Sequence, residues 1–295
     1  MRGCAIGVYW KSPWWLLAVA AACGGAPPDP RSPPAATAAG PPAPLAVATT
    51  GFRPGESMAW QLAWRGIAGG RTQTAVGEPG AVAGRAALVV RTETRSDGLL
   101  AMVRHVRDDL ATTIAVDGSL PIASHGEFEF GKPGGDVKRS QVDAAFDGDG
   151  VRITYERSGR PARTWSRRLP PGERVYDTHA ALGAMRAWRP KPGDRVYFYA
   201  LSGRRLYRVD LTAIGPESVT IGLGAFPALR IDGTGTRLTG RLLPDPKRKP
   251  RRFTVWLSDD AHRVPLRVDA RTEYGDVQVE LTAYEPGQSL PVARR

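Results

Sequence analysis

Cys23 is the residue whose surroundings most clearly prescribe a chemical reaction. It directly follows Ala20–Ala22, a run of small side chains, and Gly24 and Gly25 come after it. The pattern resembles a bacterial lipobox, in which the thiol receives a diacylglycerol before the preceding segment is removed. A lipobox usually has Leu three residues before the cysteine, where this chain has Ala20. We predict that Cys23 is lipidated, with acyl chains such as palmitate.

Residues 1–22 predict the signal peptide that such a reaction requires. Arg2 and Lys11 supply positive charge, and Trp14–Ala22 is a short apolar run that ends in small residues. A membrane-spanning helix needs about 20 apolar residues, so this run is too short to remain in a membrane. The alternative is an ordinary signal peptide cut nearby, which would leave a soluble periplasmic protein.

The cysteine count agrees with lipidation. The chain has two cysteines, and Cys4 lies in the predicted signal peptide. The mature chain would keep one thiol, at its start, and could not form an internal disulfide. It would also lack a thiol for cysteine catalysis or for a zinc–thiolate site.

The remaining reactive residue types do not match a known catalytic or metal-binding motif. The sequence contains no HExxH, GxSxG or P-loop pattern. The neighbours Asp108 and Asp109 would point to opposite faces of a strand, and Asp259-Asp260 would shape a turn. None of the four histidines has metal-ligand spacing; they are His105, His125, His179 and His262. We therefore expect no metal, no cofactor and no catalytic residues.

These observations favour a protein that is not an enzyme. The alternative is an envelope hydrolase acting on glycan or peptide, with a site gathered from separate strands. A deep pocket that holds two carboxylates, or a carboxylate with His125 or His262, would favour this alternative.

A basic run offers a different kind of site, one that binds anions. Its members are Lys247, Arg248, Lys249, Arg251 and Arg252, beside Pro246 and Pro250. The formal net charge is +12, and an exported protein would meet anionic lipid, lipopolysaccharide or envelope proteins rather than nucleic acid. The alternative is a solvated loop with no dedicated partner.

Five tryptophans outside the signal peptide either line an apolar cavity or form the core. They are Trp60, Trp64, Trp165, Trp188 and Trp256. Aromatic side chains supply much of the buried area in β domains, so we expect them mainly in the core.

Composition divides the chain into four parts. Residues 1–22 form the signal peptide, and residues 23–50, rich in Ala, Pro and Gly, predict a disordered tether from the lipidated cysteine. Residues 51–286 carry apolar periodicity throughout and predict a single β-rich domain. Residues 287–295 form a C-terminal tail.

Alternating apolar residues and turn dipeptides predict many short strands within the domain. The predicted strands are residues 58–64, 86–90, 102–116, 122–130, 142–146, 151–155, 196–201, 206–213, 219–223, 228–231, 253–257, 264–272 and 277–284. The turn signals include Asp117-Gly118, Asp147–Gly150, Ser202-Gly203, Gly215-Pro216, Asp232-Gly233, Ser258–Asp260 and Gly275-Asp276.

One helix is predicted after residue 177. Asp177 can cap its start, and Pro190 ends it. His179 lies in its first turn, where we expect it to be exposed. The apolar stripe of the helix comprises Ala181, Leu182, Met185 and Trp188. The domain is therefore predicted to be mainly β: an antiparallel curved sheet or open barrel with one covering α-helix.

Three segments resemble a known bacterial family. They are Phe52–Glu56 with the strand through Trp60 and Trp64, Asp177–Arg186 with the turn after it, and Val255–Pro265. The resemblance is to domain of unknown function 3108, found in exported proteins of Gram-negative bacteria, and it runs from about residue 50 to about residue 285. It implies export and a β-rich fold, and it implies no reaction.

Together these features predict an exported lipoprotein of the Gram-negative cell envelope. Its domain would bind or scaffold an envelope component. Gly24 stands where an Asp often signals retention at the inner membrane, so we expect the outer membrane, with the domain facing the periplasm.

The lipidation of Cys23 can be tested directly. Intact-mass analysis of protein purified from its own envelope should find a mature N-terminus at Cys23 that carries acyl chains. The Cys23→Ser variant should move to the soluble fraction. An unacylated mature N-terminus, or a variant that stays equally membrane-bound, would contradict the assignment.

Overall fold

The computed structural model describes residues 40–272 and 275–290. The predicted signal peptide, Cys23 and most of the predicted tether lie outside these described residues. No helix among the described residues has the length and apolarity needed to cross a membrane.

The described residues form two helices and seventeen strands. The helices are α1 (Gly98–Val103) and α2 (Thr178–Ala187). The strands are β1 (Ala43–Pro44), β2 (Ser57–Trp64), β3 (Ile67–Val76), β4 (Gly80–Val82), β5 (Arg85–Ser96), β6 (His105–Ala115), β7 (Leu120–Gly131), β8 (Val137–Phe146), β9 (Gly150–Arg157), β10 (Arg160–Arg168), β11 (Val175–Tyr176), β12 (Arg195–Ser202), β13 (Arg205–Ile221), β14 (Gly224–Arg237), β15 (Arg251–Ser258), β16 (Pro265–Thr272) and β17 (Gly275–Glu285).

All seventeen strands belong to one sheet. Strands β5 to β10 follow one another as an antiparallel meander, and so do strands β12 to β17. The pairings β17–β2, β2–β3 and β3–β5 join the two meanders. The sheet curves without closing, and β12 pairs in parallel with the two-residue strands β1 and β11. The predicted fold class, a curved antiparallel sheet or open barrel, is confirmed.

Helix α2 is packed more completely than a covering helix would be. Asp177 Oδ1 accepts a hydrogen bond of 2.8 Å from the backbone N–H of Ala180, as the predicted cap requires. Nine of its ten residues are buried, including His179 and Arg186. The helix therefore fills the space inside the curved sheet, and the expectation that His179 is exposed is wrong.

A buried ion pair fixes the C-terminal end of α2. Arg186 donates to both carboxylate oxygens of Glu56, at 2.8 and 2.6 Å, and both side chains are 0% exposed. The backbone oxygen of His262 accepts a further bond of 2.9 Å from Arg186, and the Tyr284 hydroxyl donates to Glu56 at 2.9 Å. The pair thus joins the helix to the start of β2, the β15–β16 connection and β17.

The ordered body extends beyond the predicted domain boundaries. Leu45 is 3% exposed, and its backbone N–H donates to the Tyr197 oxygen at 2.7 Å. Residues 43–50, assigned above to the tether, therefore contact the body of the domain. At the other end, the Gln288 N–H donates to the Pro54 oxygen at 2.8 Å, so the start of the predicted tail is also bound.

Two predicted turns lie inside strands, and this is a correction. Gly215-Pro216 follows a bulge within β13, and Asp232-Gly233 lies in the middle of β14. A Cβ at Gly233 would come within 2.2 Å of the Phe253 ring on the neighbouring strand. Glycine is thus required there by an aromatic side chain rather than by a turn. The turns at Asp117-Gly118 and Asp147–Gly150 are confirmed.

Removing one partner of the buried ion pair should destabilise the fold strongly. Arg186→Ala would leave the Glu56 charge buried and unpaired, at a cost of about 3–5 kcal/mol in the free energy of unfolding. Arg85→Ala is the matched control, because its partner Asp117 is 69% exposed, and it should cost about 1 kcal/mol or less. Urea unfolding measures both values, and equal losses would contradict the assignment.

Candidate functional site

Helix α1 connects β5 to β6 at the end of these two interior strands. Strand was predicted from residue 102, but Met102 and Val103 belong to α1 and β6 begins at His105. A helix of six residues is far shorter than the roughly 12 residues that an isolated helix needs. Its conformation must therefore come from packing against the rest of the domain.

Gly69 allows α1 to pack closely against β3. A Cβ at Gly69 would lie 2.9 Å from Leu100 Cβ, so only a glycine lets α1 approach β3 this closely. The Asp97 N–H donates to the Gly69 oxygen at 2.9 Å, and Arg71 pairs with the Asp97 carboxylate at 2.7 Å. These contacts hold α1 over the end of the sheet while leaving most of its surface free.

A narrow apolar cleft opens beneath α1, and the centre of a water-sized sphere has about 20 Å³ of room inside it. Small-molecule sites span about 300–1,000 Å³, so this cleft has room only for the end of an apolar chain. Leu100 contributes from the helix, and strands β2, β3, β5 and β6 form the walls. The lining residues are Leu62, Ala63, Trp64, Gly69, Gly70, Thr94, Arg95, Ser96, Leu100 and Val106.

The cleft is bordered by an exposed apolar surface, which we call the rim. It consists of Ile67, Leu99, Met102 and Val103, whose exposed fractions are 52, 65, 74 and 61%. These are four of the eight exposed large apolar residues in the described chain. Isolated exposed apolar residues are ordinary on a soluble protein, whereas a group of them beside a cleft indicates a binding surface.

Asp108 lies behind one wall of the cleft. It is on the same face of β6 as Val106 and is paired with Thr94 across the sheet, and both of these residues line the cleft. Neither of its carboxylate oxygens has a hydrogen-bond partner among the described residues, and burial raises its pKa well above the ordinary value. Its neighbour Asp109 faces outward to Arg91, at 3.0 Å, so the two carboxylates lie on opposite faces as predicted.

His179 belongs to a polar network inside the sheet. Its Nε2 is 2.7 Å from the Thr92 hydroxyl, and its Nδ1 is 2.9 Å from the Thr112 hydroxyl, which also donates to Asp177. Burial lowers the pKa of His179 to about 3. Burial raises the pKa of Asp177 to about 6, although hydrogen bonds from Thr112 and Ala180 oppose the rise. This network positions the first turn of α2.

Two other histidines pair with carboxylates on the surface. His125 is 2.7 Å from Asp143, and His105 is 3.0 Å from Glu129. The hydrogen bond to Asp143 raises the pKa of His125. His125 and Asp143 are both about half exposed, so this pair does not lie in the deep pocket that the enzyme alternative requires.

His262 reaches a carboxylate through one tyrosine. Its Nδ1 is 2.9 Å from the Tyr284 hydroxyl, which bonds to Glu56. Both oxygens of that carboxylate are already bound by Arg186, so the arrangement holds the fold together. Asp260 shapes the nearby turn as predicted, since its Oδ1 accepts from the His262 and Arg263 N–H groups. No group of three potential metal ligands occurs within residues 40–272 and 275–290.

The residues of the predicted anion-binding run differ in their exposure to solvent. Lys247, Arg248 and Lys249 are exposed in the β14–β15 connection, and Arg252 is exposed in β15. Arg251 is only 6% exposed, at the first position of β15, which corrects the prediction of five accessible side chains.

The tryptophans have mixed roles. Trp60 is buried and donates to the Pro265 oxygen at 2.9 Å, and Trp188 and Trp256 pack against the same core. Trp165 packs against the second apolar cluster. Trp64 lines the cleft. The expectation of a core role thus holds for most of them.

The cleft and the rim were not predicted from the sequence. Two signals were present: glycines at 66, 69 and 70 around Ile67, and the run Gly98–Val103, which contains no polar residue. Such a run is too uniformly apolar for a strand with one exposed face. It could have indicated a short helix whose outer face is also apolar.

Comparison with known proteins adds a family and several distant structural similarities. The family described as protein of unknown function (DUF3108) matches residues 58–282. No curated protein matches the chain significantly. A β-barrel-like protein with a DUF1849 domain from Brucella abortus is 11% identical, with 83% of this chain and 100% of that chain covered and a TM-score of 0.48.

Two further solved structures are less similar. One, from Bacteroides fragilis, is described as an exported protein with a YmcC-like fold; it is 8% identical, with a TM-score of 0.34 and coverage of 81% of this chain and 99% of that chain. The other, from Parabacteroides distasonis, is described as a lipoprotein and has the same identity, coverage and TM-score.

The buried histidine predicts a specific pH dependence. The stabilisation from neutral His179 is complete above pH 6.5, its ordinary pKa, and is lost as the pH falls towards about 3. Asp177 has the opposite effect on the free energy of unfolding. Its pKa is raised from 3.8 to about 6 in the folded protein, so its contribution to stability grows as the pH falls from 6 to 3.8, over a smaller shift. The difference in unfolding free energy between the wild type and His179→Gln should therefore be largest above pH 6.5 and shrink towards pH 4.

His125→Gln is the matched control with the opposite sign. The pKa of His125 is raised in the folded protein, so its contribution to stability is lost as the pH rises. Urea unfolding at a series of pH values measures both differences. A His179→Gln difference that stays constant from pH 7 to 4 would refute the buried neutral histidine.

Proposed function

The chain belongs to the DUF3108 family of proteins of unknown function, and from this premise we propose that it is a lipid-anchored, non-enzymatic binding domain of the bacterial cell envelope. The cleft beneath α1 receives the end of an acyl chain of an amphiphilic envelope component. The N-terminal sequence supports the location: the predicted signal peptide over residues 1–22 and the predicted lipidation of Cys23 favour a membrane surface, and Gly24 favours the outer membrane.

The open apolar cleft is the observation that carries this proposal. Apolar area removed from water is worth about 25 cal/mol per Å². Leu62 and Val106 are already buried, at 4 and 6% exposed, so the gain comes from covering the less buried lining residues Trp64 and Leu100 with an apolar group. The end of an acyl chain fits the cleft chemically, because the lining offers no fixed set of polar partners that would select another ligand.

The charges near the cleft favour binding over catalysis. Arg95 is the only charged residue that lines it, and its guanidinium is paired with Glu93. The Thr94 hydroxyl is hydrogen-bonded to the Thr72 hydroxyl at 2.7 Å, and the Ser96 hydroxyl accepts from the Val106 N–H at 3.1 Å. Burial raises the pKa of the Asp108 carboxyl behind Thr94 well above its ordinary value, which makes it a poor base for activating these hydroxyls.

The exposed part of the basic run is proposed as an auxiliary anion contact. Lys247, Arg248 and Lys249 lie close in sequence, and nearby Arg237 pairs with Asp245 at 3.3 Å. Burial and the positive charges of Arg237 and Arg204 lower the pKa of Arg205. This concentration of positive charge favours phosphate groups of anionic lipid or lipopolysaccharide.

Acyl binding can be tested with a bromine-labelled fatty acid, kept below its critical micelle concentration. The full chain with Cys23→Ser is used, so that its own lipid cannot compete. The probe should quench tryptophan fluorescence, and Trp64→Phe should remove most of the quenchable signal. Leu100→Glu, which places a charge in the cleft, should weaken binding at least tenfold.

The matched control is Leu243→Glu, at an exposed position in the β14–β15 connection, which should leave binding unchanged. Circular dichroism checks that each variant is folded. If Trp64→Phe and Leu100→Glu bind and quench like the parent protein, the cleft is not the acyl site.

A further inference from the structure

We propose that the rim docks into the surface of an anionic phospholipid bilayer, with Leu99, Met102 and Val103 entering the acyl region. This inference rests on the proposed function in one respect: docking would bring the cleft to the source of its acyl ligand. The docking itself depends on a separate set of exposed residues.

The spacing of the rim residues gives α1 one continuous outer apolar face. Leu99, Met102 and Val103 stand at positions i, i+3 and i+4, which places them within an arc of about 100°. Leu100 lies to one side of this face and points to the cleft. Ile67, the first residue of β3, extends the apolar surface beyond the helix, since α1 packs against β3. The helix thus has apolar residues on two sides: Leu100 faces the cleft, and Leu99, Met102 and Val103 face solvent.

Arginines surround this apolar face. Five arginines lie in or next to the strands and the helix that carry the rim residues: Arg65, Arg71, Arg95, Arg104 and Arg107. Carboxylates oppose some of them: Asp97 is paired with Arg71, and Glu93 is paired with Arg95 and Arg107. Glu129 lies opposite Arg107 in the sheet but is paired with Arg139. Arg104 stacks over the Phe130 ring at 5.7 Å. The border therefore has an excess of positive charge, which is complementary to phosphate headgroups around an inserted apolar face.

The chemistry of the rim fits a bilayer better than a protein partner. Protein interfaces concentrate Tyr and Trp at their centres and seat them in shaped pockets. The four rim residues are all aliphatic or thioether side chains, which any acyl phase accepts without a matching shape. The other exposed apolar residues, Val82, Val89, Leu223 and Leu243, lie in other elements and form no such arrangement.

Vesicle cosedimentation of the full chain with Cys23→Ser tests the docking. Vesicles of phosphatidylethanolamine with phosphatidylglycerol should bind the protein, and the Leu99→Ser, Met102→Ser, Val103→Ser triple variant should bind at least tenfold more weakly. The matched control is Leu223→Ser with Leu243→Ser, which also removes exposed apolar side chains and should bind like the parent. Equal binding by the triple variant and this control would overturn the proposal.

Charge variants test the choice of an anionic surface. Arg104→Ser with Arg107→Ser should weaken binding to phosphatidylglycerol vesicles several-fold, and added salt should abolish that difference. The Lys247→Ser, Arg248→Ser, Lys249→Ser variant loses more charge, from a connection at the same end of the sheet as the rim but separated from β2 by β16 and β17. It should bind nearly as well as the parent. If the loop variant loses binding and the rim variants retain it, the docking surface is the loop and the proposal fails.

A measurement on unaltered α1 guards against a triple variant that fails to fold. Vesicles with bromine-labelled acyl chains should quench the fluorescence of Trp64, and the signal should be absent in Trp64→Phe. No quenching despite bound protein would overturn insertion of the rim.

The two proposals can fail separately. A protein that binds vesicles through the rim but does not bind the monomeric fatty acid retains docking and loses the acyl cleft. A protein that binds the fatty acid but no anionic vesicles retains the cleft and loses docking. The triple variant should keep its affinity for the monomeric fatty acid, because its three substitutions lie outside the cleft lining.

Discussion

The buried ion pair between Glu56 and Arg186 is the constraint on which the arrangement of the domain depends. Two charges without solvent are tolerated only when nearly all their hydrogen-bonding capacity is used. Here Arg186 satisfies both carboxylate oxygens and a backbone oxygen, Tyr284 adds a donor to Glu56, and the Phe52 ring lies 5.2 Å from the guanidinium. These partners come from distant parts of the chain, so the network assembles only when the sheet has curved around α2. The three segments on which the family resemblance rests, Phe52–Glu56, Asp177–Arg186 and Val255–Pro265, all contribute to it or to its immediate surroundings.

The two ends of α2 are held by different kinds of interaction. Its first turn is positioned by neutral groups, the hydroxyls of Thr92 and Thr112 around His179, whereas its last turn is positioned by opposite charges. Asp108 lies outside both networks and is buried without a partner among the described residues. The other buried side-chain atoms without a hydrogen-bond partner among the described residues belong to Thr178, Arg237 and Arg263. Asp108 is the carboxyl of this group, and it lies next to the cleft.

Local patterns predicted the elements whose determinants lie close together in sequence. The cap Asp177, the apolar stripe and Pro190 are sufficient to define α2, and alternating side chains define most strands. The same dipeptide, Asp-Gly, makes a turn at residues 117–118 and continues a strand at 232–233, because Phe253 occupies the space beside Gly233. The fold brings Phe253 beside Gly233, and this contact cannot be inferred from the residues next to Gly233 in the sequence. The cleft was unpredictable for the same reason: Leu62, Leu100 and Val106 meet only after four strands and α1 have assembled. Residues of the basic run were identified correctly by type, but the burial of Arg251 depends on its place in β15.

The short parallel strand β1 has a mechanical consequence for a domain attached by its N-terminus. Only Ala43 and Pro44 pair with β12, and the Leu45 N–H adds one bond beyond them. Tension from the proposed attachment at Cys23 would load these few bonds before it reached α2 or the long hairpins. Residues before Leu45 would separate from β12 first and lengthen the N-terminal segment by a few residues, while the buried Leu45 and the ion pair kept the remaining body intact. Separation of β1 from β12 would then set how far from its attachment point the domain can reach.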